Sequence, residues 1–302
     1  MTSDTHISSS EMSRTAIQIA IVGIFLFAAL DAAMKGLSVE IGVFTTLFSR
    51  VVIGTLLSAV LYFFKWEGKP TIKSIKLHAL RAILSALIAL MFFWGLVRVP
   101  LAQGIGLTFI APLIALYLAA VLLKENITGA AVKGSVIALA GVFVVIGGKF
   151  HIGTDLESIL GTVAILLAAA GYAYYLIIQR MQALVASPFE VAFFQNFFVA
   201  IVLLPATPIF FTMPMDRDIW GGLFIAALLA IGSVLLMSAA YRRAETRELV
   251  VIEYTAFVWA VLFGWLLFSE SVSIATFIGT GCIIFGCVFS SDRVRLPWNR
   301  SL

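Results

Sequence analysis

Ten long apolar runs, separated by short polar gaps, constrain this 302-residue chain more than any other feature. They fall at 15–35, 43–64, 77–97, 101–123, 130–147, 158–179, 189–211, 219–240, 248–268 and 273–290. A helix crossing a hydrocarbon core about 30 Å thick needs roughly 20 mostly apolar residues. Ten such helices consume about 200 residues and leave only loops between them. Composition agrees: 62% of residues are hydrophobic, 12% are charged and mean hydropathy is +1.08. A water-soluble fold cannot hide that much apolar surface. Lipid-exposed backbone must satisfy its own hydrogen bonds, and a barrel would show short alternating segments, so helices are expected.

The gaps carry Gly, Pro or charge, as in Lys35-Gly36, Arg98-Val99-Pro100, Ser187-Pro188 and Asp216-Arg217-Asp218. Alternating the loops places 15 Lys and Arg residues on one side, counting Arg81 and Arg180 among them. The other side receives four: Lys35, Arg98, Lys149 and Arg217. That asymmetry predicts an inner-membrane protein with both termini cytoplasmic. The first run is long, lacks a small-x-small cleavage site and precedes many others, so it reads as an uncleaved helix. Trp66, Trp220 and Trp298 read as interfacial anchors.

Sliding the chain by 145 residues aligns 111–141 with 256–286 at seven identities. Glu125/Glu270, Gly134/Gly279 and Gly141/Gly286 carry more weight than the Ala and Leu matches, and Thr128 faces Ser273. Each Glu is expected to favour the positive end of the helix that follows it, with Thr128 or Ser273 as a cap. Five helices per repeat is odd, so the second half enters the membrane upside down. Such inverted repeats place a solute site near the midplane between the halves. The expected layout is an all-α integral membrane fold of ten transmembrane helices in two inverted five-helix repeats. A cytoplasmic tail covers 1–14, the first repeat 15–147, a connecting loop 148–157, the second repeat 158–290 and a cytoplasmic tail 291–302.

At these residues the chain resembles the EamA-type branch of the drug/metabolite transporter superfamily. The pattern E-x8-G-x6-G occurs twice, as Glu125…Gly134…Gly141 and Glu270…Gly279…Gly286. Ala111-Pro112 in helix four, Phe48-Ser49-Arg50 in helix two and the ten-span layout complete the resemblance. It implies a cavity lined by helices one to four and six to nine, with five and ten peripheral, and export of amino acids or other metabolites, some members importing instead. Phe257 stands where the first repeat has Pro112, which argues against symmetric kinks in helices four and nine.

Ionisable groups inside spans are costly and usually face the interior. Asp31 and Arg50 lie at similar depth and are candidates to pair; the plainer alternative for Asp31 is a surface pair with Lys35 at i+4. The face of Arg50 continues through Gly54 and Ser58. Glu253 is a candidate to carry a proton or bind a substrate amine, or else to pair with Arg243 or Arg247 at the surface. Thr108 occupies the matching face of helix four. Tyr172 and Tyr175 share a face with Gln179, beside Gln195 and Asn196 in an aromatic stretch. With Trp94 and Trp259 these could hold a flat or apolar solute, core packing being the alternative. Pro112, Glu125, Gly134, Gly141, Glu270, Gly279 and Gly286 are assigned structural roles, the glycines allowing close helix packing.

No phosphate loop, zinc motif or nucleophile elbow occurs, so no cofactor, no metal and no catalytic residue is expected. Cys282 and Cys287 read as small packing residues. The partners expected are a small-molecule solute and the lipid bilayer, with a coupling proton as a further candidate and no nucleic acid. The leading expectation is a secondary transporter of a small organic metabolite. A membrane-embedded lipid-modifying enzyme would need clustered carboxylates or histidines within one span, which the sequence lacks; a receptor or scaffold is the third reading.

Overall fold

The computed structural model describes residues 9–65, 68–147, 156–270 and 274–293. It is 87% helical, without strands among the described residues. The first helix, α1 (Ser9–Ile41), starts before its apolar run and outlasts it. Gly42, at φ 80°, then turns the chain directly into α2 (Val43–Phe64). A side chain is strained at that φ, so glycine suits a one-residue hairpin. Thr71 caps α3 (Ile72–Leu96), accepting from Ser74 N at 3.1 Å.

The fourth run is broken. α4 (Leu101–Thr108) stops and α5 (Ile110–Leu118) resumes. Pro112 has no N–H to offer the Thr108 carbonyl, and its ring crowds that carbonyl, so the ladder fails there. A π-helical turn, Ala119–Leu123, ends the run. α6 (Gly129–Gly147) follows, and Thr128 Oγ1 accepts from Ala131 N at 3.2 Å as a cap. Then come α7 (Leu156–Ala183) and α8 (Pro188–Leu203), the latter capped by Ser187 with proline at its start. A short α9 (Thr207–Phe210) extends it, before α10 (Arg217–Arg243), capped by Asp216. The ninth run comprises α11 (Thr246–Leu249), a 3-10 turn at Ile252–Tyr254 and α12 (Thr255–Phe268). The last helix is α13 (Ile274–Arg293).

Eight of the runs make helices long and apolar enough to cross a membrane. The remaining two form α6, whose apolar stretch Gly129–Val144 is shorter, and α13. Among the described residues the first helix is already present at Ser9, α7 at Leu156, and the last helix runs to Arg293. Trp66, Lys149, Ser273 and Trp298 lie outside the described residues. Of the proposed anchors, Trp220 donates to the Pro214 carbonyl at 3.2 Å.

The backbone itself repeats at the 145-residue offset. Helix nine breaks at Ile252–Tyr254, opposite the break at Phe109, although Phe257 replaces Pro112. The expected asymmetry is therefore absent. Tyr254 occupies the position matching Phe109, and its hydroxyl donates to the Phe109 carbonyl at 3.3 Å. Lys124 and Ser269, also matching positions, are both left-handed, at φ 56° and 53°. Packing follows the same rule: α1 lies along α10 as α3 lies along α7, while α2 pairs with α8 and α6 with α13. In this last pair a Cβ added at Gly141 would meet the Gly279 carbonyl at 2.6 Å. One added at Gly286 would meet the Gly134 carbonyl at 2.6 Å. All four motif glycines thus serve one close helix contact.

Candidate functional site

A cavity of about 150 Å³ sits between the halves. Its wall draws on α1, α2, α3, α4 and α5 from the first half, and on α7, α8, α10, the Ile252–Tyr254 turn and α12 from the second. α6 and α13 contribute nothing to it. Asp31, Arg50, Thr108, Tyr172, Tyr175, Gln195, Asn196 and Glu253 all line it, as does Pro112.

Trp94 and Trp259 lie elsewhere. Trp94 stacks under the Arg98 guanidinium, 3.6 Å from the ring centre, and Arg98 pairs with Glu157 at 2.6 Å. Trp259 packs edge-on against Phe25. Both indoles therefore sit in the helix packing outside the cavity wall.

The two broken helices bring polar groups into the cavity. Thr108 and Glu253 occupy matching positions, each beside its break. Thr108 Oγ1 is committed to the Ile105 carbonyl at 2.7 Å. Glu253, 6% exposed, accepts from the Tyr172 hydroxyl at 3.1 Å. Arg243 and Arg247 are engaged by other groups, so Glu253 is not their surface partner. Asp31 is 5% exposed and points into the same space, while Lys35 is engaged by Glu270 and the Val99 carbonyl. The surface pair of Asp31 with Lys35 does not form.

Arg50 faces the cavity from the neighbouring helix; among the described residues no ion pair of 4 Å or less joins it to Asp31. Among the described residues, its Nε and Gln195 Oε1 have no hydrogen-bond partner. Asn196 donates to the Ala192 carbonyl at 2.9 Å, and its Oδ1 lies where a Cβ on Gly54 would stand, 2.6 Å away. Gly54 thus makes room for that amide.

The lining repeats in pairs at the same offset: Phe27 with Tyr172, Leu30 with Tyr175, Arg50 with Gln195 and Val51 with Asn196. Geometry is shared by the halves and chemistry is not. A guanidinium, two carboxylates, two phenols and two amides face one small space with aromatic and aliphatic walls. Such a set can hold a solute carrying both charge signs through directed hydrogen bonds. Among the described residues no cluster of three metal-ligating side chains occurs.

Sequence reasoning missed a second polar group behind this cavity. Arg81, taken for a loop cation, is 1% exposed within α3. It donates to Gln182 Oε1 and, at 2.6 Å, to the Tyr175 hydroxyl, and lies 4.5 Å from that ring centre. Gln182 donates in turn to His78 Nδ1, which fixes His78 Nε2 as the donor to Glu190 at 3.0 Å. Ser74 also donates to Glu190. A small lobe of about 30 Å³ lies between Arg81, Tyr172, Tyr175 and Glu253 and adjoins the main cavity. His78 and Arg81 sit one turn apart inside an apolar run, and that spacing was the available signal for a buried pair.

A many-helix membrane protein with a solute-sized cavity, apolar-walled and carrying a few polar groups, between two related halves is, by class, a small-molecule transporter. Comparison with known proteins gives the family. Residues 14–147 and 159–292 each match the EamA-like transporter family, and the chain belongs to it. The pseudopaline exporter CntI of Pseudomonas aeruginosa is 21% identical over 283 residues, covering 92% of this chain and 96% of that protein. The S-adenosylmethionine uptake transporter of Rickettsia conorii is 27% identical over 270 residues, covering 87% and 86%. A protein of known crystal structure shares the fold, with a TM-score of 0.75 at 20% identity, covering 91% of this chain and 98% of that one.

Proposed function

We propose that this protein is a secondary transporter that moves a small zwitterionic metabolite, an amino acid or a related compound, by alternating access. The observation that carries this reading is the single cavity holding Arg50, Asp31 and Glu253 between matching elements of both halves. In this reading Arg50 takes the solute carboxylate and Asp31 or Glu253 its amine, while Tyr172, Tyr175, Gln195 and Asn196 fix its orientation. Glu253, buried and held by one phenol, is the candidate carrier of a coupling proton.

The proposed layout is ten spans in two oppositely threaded five-helix repeats. α6 and α13, of 19 and 20 residues, reach about 28–30 Å at the helical rise and so suffice for a thin core. Both present apolar side chains outward, among them Val136 and Phe143, and Ile278 and Phe285. The charge asymmetry favours an inner-membrane setting with cytoplasmic termini. Export is the favoured direction; relatives named for export and for uptake both occur, so import is the second reading.

Flux measured in proteoliposomes with amino acids and related zwitterions tests the reading. Gradient-driven or exchange flux is expected, lost in Arg50→Ala and reduced in Glu253→Gln. Normal flux in the folded double variant would overturn the site assignment.

A further inference from the structure

Glu125 and Glu270 do more than sit between helices: each reaches into the opposite half of the chain. Glu270 Oε1 accepts from the Leu101 amide at 2.8 Å, at the start of α4 in the other half. Glu125 accepts from the Thr246 and Arg247 amides at 3.2 and 3.3 Å, at the start of α11, again in the other half. Leu101 and Thr246 are matching positions. Each carboxylate also meets a cation. Lys35 Nζ lies 3.5 Å from Glu270, and Arg180 Nε lies 3.8 Å from Glu125. Lys35 and Arg180 match at the same offset. Each cation also donates to one backbone carbonyl ahead of the capped segment: Val99 for Lys35, at 2.9 Å, and Tyr241 for Arg180.

The two assemblies stand at opposite ends of the bundle. Glu125 follows helix four and Leu101 begins it, so the 23-residue span Leu101–Leu123 separates them. We infer that Lys35–Glu270 and Arg180–Glu125 are a matched pair of gate latches, each holding one end of the cavity shut by tying a broken helix to the opposite repeat. This rests on the alternating-access reading above. That mechanism needs one end to part while the other stays closed, and these are ion-paired contacts between halves at both ends.

The short segments explain how the cavity senses the latches. Leu101–Thr108 and Thr246–Tyr254 each run from a latched amide to a cavity residue, Thr108 or Glu253. A solute drawing on Glu253 pulls on a segment whose other end Glu125 holds. Lys35, Arg180, Glu125 and Glu270 are positioning residues in this scheme, because none of them lines the cavity.

The test is the sidedness of cavity access, which needs no known solute. A cysteine-free full-length protein carries Ser85→Cys in the cavity wall as reporter, and membrane-impermeant maleimide is applied to each face of sealed vesicles. Val39→Cys, exposed near the Lys35 end, identifies which face that end occupies. Lys35→Met and Glu270→Gln are expected to raise Ser85→Cys labelling from the Lys35 face roughly tenfold, as for losing one charge-assisted contact. Arg180→Met and Glu125→Gln should raise it from the opposite face, and Lys35→Arg should stay at the parental rate. Lys35→Met and Arg180→Met leave both glutamate caps in place, which keeps the test open if the glutamate variants fail to fold. Unchanged labelling in these two, or an increase from the same face in both, would overturn the latches. Flux that persists with unchanged labelling would reject the latches alone; shifted labelling without flux of any zwitterion would reject the substrate reading alone.

Discussion

The contact between α6 and α13 makes a prediction of opposite signs within one helix. An alanine Cβ at Gly286 would stand 2.6 Å from the Gly134 carbonyl and 2.8 Å from Ala138 N. Carbon–oxygen contacts of this kind settle near 3.3–3.6 Å, so the helices must part by about 0.7 Å. The obstacle is backbone of a packed helix, which cannot swing aside. Overpacking of this type costs about 1–3 kcal/mol, and the alanine's better helix propensity returns about 1. Gly286→Ala should therefore destabilise by about 1 kcal/mol, near 3 °C in the thermal midpoint for a chain of this size. Gly141→Ala meets the mirrored obstacle and should behave alike. The double variant should cost less than the sum, since helices already parted by one methyl accommodate the second. Gly281, on the same α13, has nothing within 4 Å of an added Cβ. Gly281→Ala should stabilise through propensity alone, by about 0.5–1 kcal/mol, and raise the midpoint. Fluorescence-detected thermal unfolding in detergent separates these cases. A midpoint that rises for Gly286→Ala, or falls equally for Gly281→Ala, would refute the packing argument.

The polar group behind the cavity gives a stability prediction. Arg81→Met leaves Gln182 Oε1 and the Tyr175 hydroxyl without their donor and should cost about 2–4 kcal/mol, against little for the exposed Arg217→Met, by thermal midpoint. Arg81→Lys should rescue only part of this, because an ammonium cannot fork to both partners while stacking on the ring. Gly54→Ala should drive Asn196 from its place and weaken solute binding about tenfold with the fold intact, measured as the loss of solute-induced thermal shift. Tyr172→Phe removes the hydrogen bond that Glu253 accepts from the Tyr172 hydroxyl and should weaken solute binding by about 1.5–3 kcal/mol, in a binding titration.

Much of the fold was legible because lipid imposes simple rules. Apolar run length gave the helices, and Gly42, Ser187-Pro188 and Asp216 marked real turns and caps. The duplicated Glu and Gly residues gave the repeat. What the sequence hid was partnership across the halves. A carboxylate just ahead of a helix invites a local capping reading, and only the fold shows Glu125 and Glu270 reaching the opposite repeat. Counting charges for topology likewise treated Arg81, Arg180 and Lys35 as loop residues, since helix ends cannot be told from sequence to within a turn. Phe257 misled in the other direction. Proline is sufficient to break a helix, yet the second break forms without it. Most cavity residues were legible because burying charge or amide in a span is expensive enough to imply a purpose; the two tryptophans carry no such penalty, and they pack elsewhere.

The matched halves also explain why so few polar groups can define a solute. An inverted pair of identical repeats would present each group twice, and a cavity symmetric in charge suits a symmetric solute. Here divergence has kept the scaffold and split the chemistry. Arg50 stands against Gln195, Thr108 against Glu253, Phe27 against Tyr172 and Val51 against Asn196. The cation comes from one half and the carboxylate at the helix break from the other. Asp31 has Leu176 as its counterpart, so it too is unmatched. In the proposed function, a zwitterion bridging Arg50 and Glu253 would touch both halves at once, and its binding would bear on the relative position of the two repeats. The latches keep charge on both sides, with Lys35 matching Arg180 and Glu125 matching Glu270. Selection for a particular solute can reshape the centre residue by residue. The proposed alternating access needs both ends to work alike, and the matched latch residues carry the same charges at each.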